Sequence, residues 1–154
     1  MNAREWLNGI DEYWGCWFAG FVDGEGCFSI SSQAKGGYRC SFLIKLRADD
    51  GPLLKKIRGR LGMGTISTAP RAEPDKPQLV YSVQRKKDCL LLCDFFERFL
   101  LQSKKRRDFT IWAKAVDSWQ TVQLGPGHGT SQWTVIAEAH EELREIRQYR
   151  ELAA

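Results

Sequence analysis

Trp17-Phe18-Ala19-Gly20-Phe21-Val22-Asp23-Gly24-Glu25-Gly26-Cys27-Phe28 is the stretch from which the fold can be read. Upstream of it, Asp11 offers an N-cap. Trp14, Trp17, Phe18, Phe21 and Val22 recur in steps of three and four, which predicts a helix from Asp11 to Gly24. Gly24 and Gly26 stop that helix. Gly20 and Gly24 stand four apart on one face, so a second helix backbone can come close there. Glu25 follows the helix end, where the carbonyl dipoles disfavour a carboxylate. A divalent cation reverses that sign, because Glu25 and the free carbonyls can share it as oxygen ligands. From the residue pattern alone two readings stay open: a cation-binding turn, or an ordinary buried helix ending in a solvated acid.

Downstream the period changes to two. Cys27 to Gln33 alternates, with Phe28 and Ile30 on one side and Ser29, Ser31 and Gln33 on the other. Lys35-Gly36-Gly37 is a hairpin turn. From Tyr38 to Arg47, Cys40, Phe42, Ile44 and Leu46 face inward, while Arg39, Ser41, Leu43, Lys45 and Arg47 face out. Pro52 opens a short helix to Leu61, and Gly62-Met63-Gly64 ends it. Strands follow at Thr65 to Thr68 and Gln78 to Arg85, separated by a proline-rich loop over 69–77. Helices are predicted at Lys86 to Leu101, Asp108 to Trp119 and Thr134 to about Leu152, the last after a glycine-rich loop over 123–131. Hairpins separated by helices predict an α+β domain, αββαββα, with a four-stranded antiparallel sheet covered by helices on one face. One domain spans residues 1–154, with its core over 11–119 and a C-terminal loop and helix over 120–154.

The chain has 154 residues and a net charge of +4, which hides an asymmetry. Residues 31–107 carry 18 Lys/Arg against 7 Asp/Glu, while the rest carries 5 against 12. The cationic middle suits a polyphosphate partner, since each neutralised phosphate releases condensed counterions. A lysine-rich solvated surface is the alternative. With 43% apolar and 12% aromatic residues, disorder is excluded. No apolar run reaches the ~20 residues of a membrane span. The first fifteen residues lack the basic-then-apolar order of a secretory signal. The five cysteines form no CxxC pair and are expected as reduced thiols in an intracellular protein.

Phe18 to Gly26 (FAGFVDGEG) resembles the nine-residue motif of the LAGLIDADG homing endonucleases and intron maturases, with Glu in the acidic position where Asp is commoner. The strand CFSI, the strand YRCSFLIKLR, the segment Leu53 to Ile66 and the SKKRRDF stretch (103–109) fall in the family's order. About 100 residues are covered, from Trp14 to Trp119. The resemblance implies motif helices of two copies packed at a two-fold axis through Trp17, Gly20, Phe21 and Gly24. It implies Glu25 as a metal ligand assisted by the Gly24 carbonyl, holding Mg²⁺, with Mn²⁺ substituting and Ca²⁺ supporting binding only. A basic residue that stabilises the scissile phosphate falls on Lys104, with Lys105 next. Where many members carry a water-orienting glutamine this chain has Leu46, and the flanking Lys45 and Arg47 are the polar residues nearest it.

What the resemblance implies for function is a homodimeric, site-specific double-strand DNA endonuclease with a partly palindromic target. Sequence reading then falls to the polar sheet face: Ser29, Ser31, Gln33, Arg39, Ser41, Lys45, Arg47, Ser67, Gln78, Ser82 and Gln84. Lys86, Lys105 and Arg106 are expected on phosphates. The alternative is a non-catalytic nucleic-acid binder on the same scaffold, an intron RNA maturase or a DNA-binding regulator. The missing glutamine favours that alternative, and the retained Glu25 and Lys104 favour the enzyme. His128 and His140, the two histidines, lack metal-ligand spacing, and no P-loop, dinucleotide fingerprint or GxSxG is present.

Overall fold

Two hairpins set edge to edge carry everything else. In the computed structural model, which describes residues 1–70, 73–122 and 130–153, β1 (Gly26–Ser32) pairs with β2 (Tyr38–Arg47), β2 with β4 (Gln78–Val83), and β4 with β3 (Thr65–Thr68), all antiparallel. The order across the sheet is β1-β2-β4-β3. The β1–β2 turn needs two left-handed residues, and Gly36 and Gly37 supply them at φ +87° and +84°. Side-chain alternation then decides the two faces. Phe28, Ile30, Cys40, Phe42, Ile44, Tyr81 and Val83 are buried, while Arg39, Lys45 and Ser67 lie exposed on the other side.

Among the described residues six α-helices accompany the sheet: α1 (Ala3–Asn8), α2 (Glu12–Glu25), α3 (Gly51–Leu61), α4 (Lys86–Arg98), α5 (Lys105–Gln120) and α6 (Thr130–Ala153). Phe18 and Val22 of α2, Leu54 and Ile57 of α3, Leu92, Phe95 and Phe96 of α4, and Trp112 of α5 meet the buried strand residues in one core. Phe28 stands at its centre, its ring 5.2–5.5 Å from those of Phe42, Phe96, Phe109 and Trp112. The αββαββα order and the four-stranded antiparallel sheet are those the alternation predicts.

The boundaries differ in places. α1 is an addition, made by a capping box between Asn2 and Glu5 and anchored by the Trp6 indole donating to the Leu61 carbonyl at 2.9 Å. α2 runs through Glu25, one residue past the predicted end, because its cap is Gly26. α4 ends at Arg98 rather than Leu101: Phe99 turns extended, yet both Phe99 and Leu101 stay buried, so the apolar pattern outlives the helix. α5 begins at Lys105, not Asp108, so most of the basic run lies inside its first turn. α6 places Ile136, Ala139 and Leu143 in the same core. Residues 123–129 of the glycine-rich loop and residues 71 and 72 of the proline-rich loop lie outside the described residues.

The five cysteines are free, and Cys40, Cys89 and Cys93 are buried. Burial pushes the Cys40 thiol up to about 12. Among the described residues no helix is long and apolar enough to cross a membrane.

Candidate nucleic-acid and metal site

α2 has two unlike sides. Gly15, Phe18, Ala19 and Val22 are buried against the core, and Gly15 lies so close to Phe99 that a methyl group there would stand 2.3 Å from the ring. The opposite side is open. Tyr13 is 87% exposed and Trp17 39%, and a methyl group at Gly20 or Gly24 would have no neighbour within 4 Å. The aromatic stripe predicted as one face is therefore divided. Phe18 and Val22 are interior, Trp14 and Phe21 half-buried, and Trp17 lies over Phe21 with ring centroids 5.4 Å apart. Tyr13, Trp17, Gly20 and Gly24 step by four, three and four along the bare side.

Gly24 and Glu25 are exposed in the last turn of this helix. The Val22 carbonyl is taken by the Gly26 N–H, and the last carbonyls of a helix otherwise lack partners within it. Among the described residues no hydrogen bond or ion pair reaches the Glu25 carboxylate. An unpaired acid beside bare carbonyls is a donor set that suits a hard divalent cation. Among the described residues no group of three or more His, Cys, Asp or Glu could hold a metal ion. Lys45 is exposed on β2, one residue beyond the last β1–β2 pair, Gly26 with Ile44, which sets it beside the end of α2.

Asp23, in the same turn as Glu25, reaches a different element. Its carboxylate accepts the Gln102 N–H at 3.0 Å, the Ser103 N–H at 2.9 Å and the Ser103 hydroxyl at 2.6 Å. The Ser103 oxygen in turn accepts the Lys105 N–H at 3.1 Å. Burial works to raise the Asp23 carboxyl, but the Ser103 hydroxyl, the two N–H donors and the nearby Lys105 charge outweigh it and hold the group below its ordinary value. Lys104 is the exposed N-cap of α5 and Lys105 is half-buried. A run of cations in the first turn of a helix opposes the helix dipole, an arrangement that a bound anion relieves.

On the polar sheet face, Arg39, Lys45, Ser31, Ser67 and Gln84 are exposed, and Ser29, Gln78 and Ser82 half-buried. The Gln33 amide donates to the Ser31 hydroxyl at 3.2 Å, and the hydroxyls of Ser82 and Thr65 lie 3.2 Å apart. Three expected contact residues sit otherwise. Ser41 is only 6% exposed, a short side chain between the longer Arg39 and Leu43. Arg47 is paired with Asp49, its Nε 3.0 Å from the carboxylate. Lys86 is turned away from solvent: its ammonium donates to the Val122 carbonyl at 3.4 Å and lies 5.5 Å from the centre of the Trp119 ring. Arg106 is exposed. Leu46, at the place of the glutamine, is buried on the helix-covered face opposite Leu79.

The sequence reading missed Asp23, whose partner is 80 positions away, although a serine two residues before a basic helix start is a capping signal. It also missed an open cleft of about 720 Å³ at the β3 edge, lined by Lys55, Arg58, Arg85, Ser82 and Gln84 among others. That cleft extends the basic character of the sheet toward its outer strand.

The chain matches the sequence profile described as LAGLIDADG endonuclease over residues 18–116. It is 27% identical over 137 residues to the probable intron-encoded endonuclease Cox1-I1b of Schizosaccharomyces pombe, which covers 86% of this chain and 34% of that protein. An uncharacterized 50.9 kDa protein in ND4 intron 1 of Podospora anserina is 35% identical over 109 residues, covering 65% of this chain and 23% of that protein. The LAGLIDADG meganuclease I-AabMI bound to uncleaved DNA superposes with a TM-score of 0.63 at 29% identity, over 72% of this chain and 37% of that one. The homing endonuclease I-GzeII in complex with its DNA target gives 0.68 at 27%, over 81% and 43%. The chain spans about a third or less of the length of these two curated relatives.

Proposed function

The chain belongs to the LAGLIDADG endonuclease family, and from that premise we propose that it is a site-specific DNA double-strand endonuclease that works as a pair of identical copies. One observation carries this reading: an exposed acid without a partner, Glu25, ends a helix whose outer side is bare glycine and aromatic surface. Two such helices, packed side by side through Trp17, Gly20, Phe21 and Gly24, bring two Glu25 carboxylates to one end of the pair. Cutting both strands needs two attacking waters, and a two-fold pair supplies one set of groups per strand.

Glu25 and the Gly24 carbonyl would hold Mg²⁺, which when bound lowers the pKa of a water and neutralises charge on the phosphate. The remaining work falls to side chains of the chain itself. Lys105 stabilises the charge that grows on the phosphate oxygens, and it is preferred over Lys104 because its charge acts on Asp23, in the last turn of α2 beside Glu25. Of the two residues that flank Leu46, where a glutamine is absent, Lys45 lies beside the end of α2 and Arg47 is paired with Asp49. The polar face of the sheet, with Arg39 at its β1–β2 end, lies along the major groove and reads base edges. Arg106 and the basic cleft at β3 hold backbone phosphates. DNA as substrate implies that the protein acts inside the cell.

The buried Leu46 supports a second reading, in which the same surface binds DNA or intron RNA without cutting it. The experiment that separates the two uses a duplex selected by the protein from a randomised library, incubated with Mg²⁺. Metal-dependent cutting supports the endonuclease; tight binding without cutting supports the binder.

A further inference from the structure

The last turn of α2 presents two acids with separate tasks. Glu25 is open, whereas Asp23 is spent on Gln102, Ser103 and, through the Ser103 oxygen, Lys105. α5 has no side-chain cap from its own N-cap residue, Lys104. Ser103 therefore takes the first N–H of α5, and Asp23, from another element, holds Ser103 in place. The negative charge of Asp23 also stands near Lys105 in the first turn of α5, a turn that holds Asp108 as well and whose dipole favours acids over cations.

We propose that Asp23 is a positioning residue for cleavage: it latches the first turn of α5 to the end of α2, so that the cation of α5 and the acid of α2 keep a fixed separation across one phosphate. Asp23 touches neither substrate nor metal and acts through Ser103. The proposal rests on Glu25 and Lys105 forming the cleavage site. Its consequence is selective. Losing the latch lets the two elements slide against each other by a fraction of their contact distance, and misplacement on that scale slows chemistry far more than binding. The polar sheet face and its base contacts are untouched.

The test uses the full chain and a duplex selected by wild-type binding from a randomised library. Gel-shift affinity is measured in Ca²⁺ and single-turnover cleavage in Mg²⁺ for wild type, Asp23→Asn, Ser103→Ala and the double variant, well below their unfolding temperatures. Asp23→Asn is nearly isosteric, and Ser103→Ala reaches the same latch from the other side. The expected result is cleavage slower by at least about tenfold in each single variant with little change in affinity. The double variant should be no slower than the worse single one, since both break one chain of bonds. Unchanged cleavage, or cleavage and affinity falling together, overturns the proposal. A wild type that binds and never cuts overturns the endonuclease reading instead. The latch then rests on amide exchange at Ser103 and Lys105: faster exchange in Asp23→Asn supports it, and unchanged exchange overturns it.

Discussion

Gly15 lies under the ring of Phe99, so close that a methyl group in its place would stand 2.3 Å from the ring's far edge. This contact seats α2 on the end of α4 and fixes which side of α2 remains outside. Gly15→Ala should destabilise the fold by about 1–3 kcal/mol, because Phe99 is buried and must shift. Denaturant titration measures it. A variant as stable as wild type would mean that the ring has free space to move into.

Gly20 gives the opposite expectation, since it has no neighbour within 4 Å in one copy. Gly20→Leu should leave the monomer's stability nearly unchanged and abolish pairing of the α2 helices. Sedimentation should show a dimer for wild type and a monomer for the variant. A monomeric wild type, or a variant that still dimerises fully, would move the interface elsewhere.

Lys86 and Arg106 separate structural cations from DNA-binding ones. Arg106→Ala should weaken binding to all sequences alike and lower the salt slope by about one unit. Lys86→Ala should cost stability instead, since its ammonium rests on Val122 and Trp119, and leave the salt slope unaltered. Arg39→Ala should relax preference at particular base pairs by about 1–3 kcal/mol. Site selection and salt titration on the three variants check the division, and identical behaviour would refute it.

The thiols provide a check on the core that is independent of function. Burial raises the Cys40, Cys89 and Cys93 thiols, so they stay protonated and shielded at pH 8, whereas Cys16 is exposed. A thiol reagent at pH 8 should modify Cys16 first and reach the three buried thiols only on unfolding. Early modification of Cys89 in the native protein would contradict the packing of α4 on the sheet.

Much of this was legible in the residues. The alternation of Cys40, Phe42, Ile44 and Leu46 marks β2 to its ends, and Asp11 caps α2 where a capping residue should. The division of α2 was not legible. Aromatic residues surround most of the helix, so periodicity cannot tell the buried Phe18 from the exposed Trp17; that needs the position of Phe99, about eighty residues on. The start of α5 was missed because four consecutive cations are a poor helix opening until Asp23 is brought to them. Lys86 reads as a surface cation in sequence because its acceptor is a backbone carbonyl, which carries no residue-type signal. Local pattern thus gave the elements, and contacts distant in sequence assigned the roles.

The central claim is that Glu25 performs chemistry and not recognition. Glu25→Gln keeps the size of the side chain and removes the charge that holds a divalent cation. Binding should survive, and tighten slightly without metal, because two carboxylates near the phosphates repel DNA when no cation lies between them. The measurement is cleavage of a plasmid carrying the selected site in Mg²⁺, beside gel-shift affinity in Ca²⁺. Intact binding with no cleavage by Glu25→Gln, against a wild type that cuts, is the predicted result; a Glu25→Gln protein that cuts as fast as wild type would contradict it.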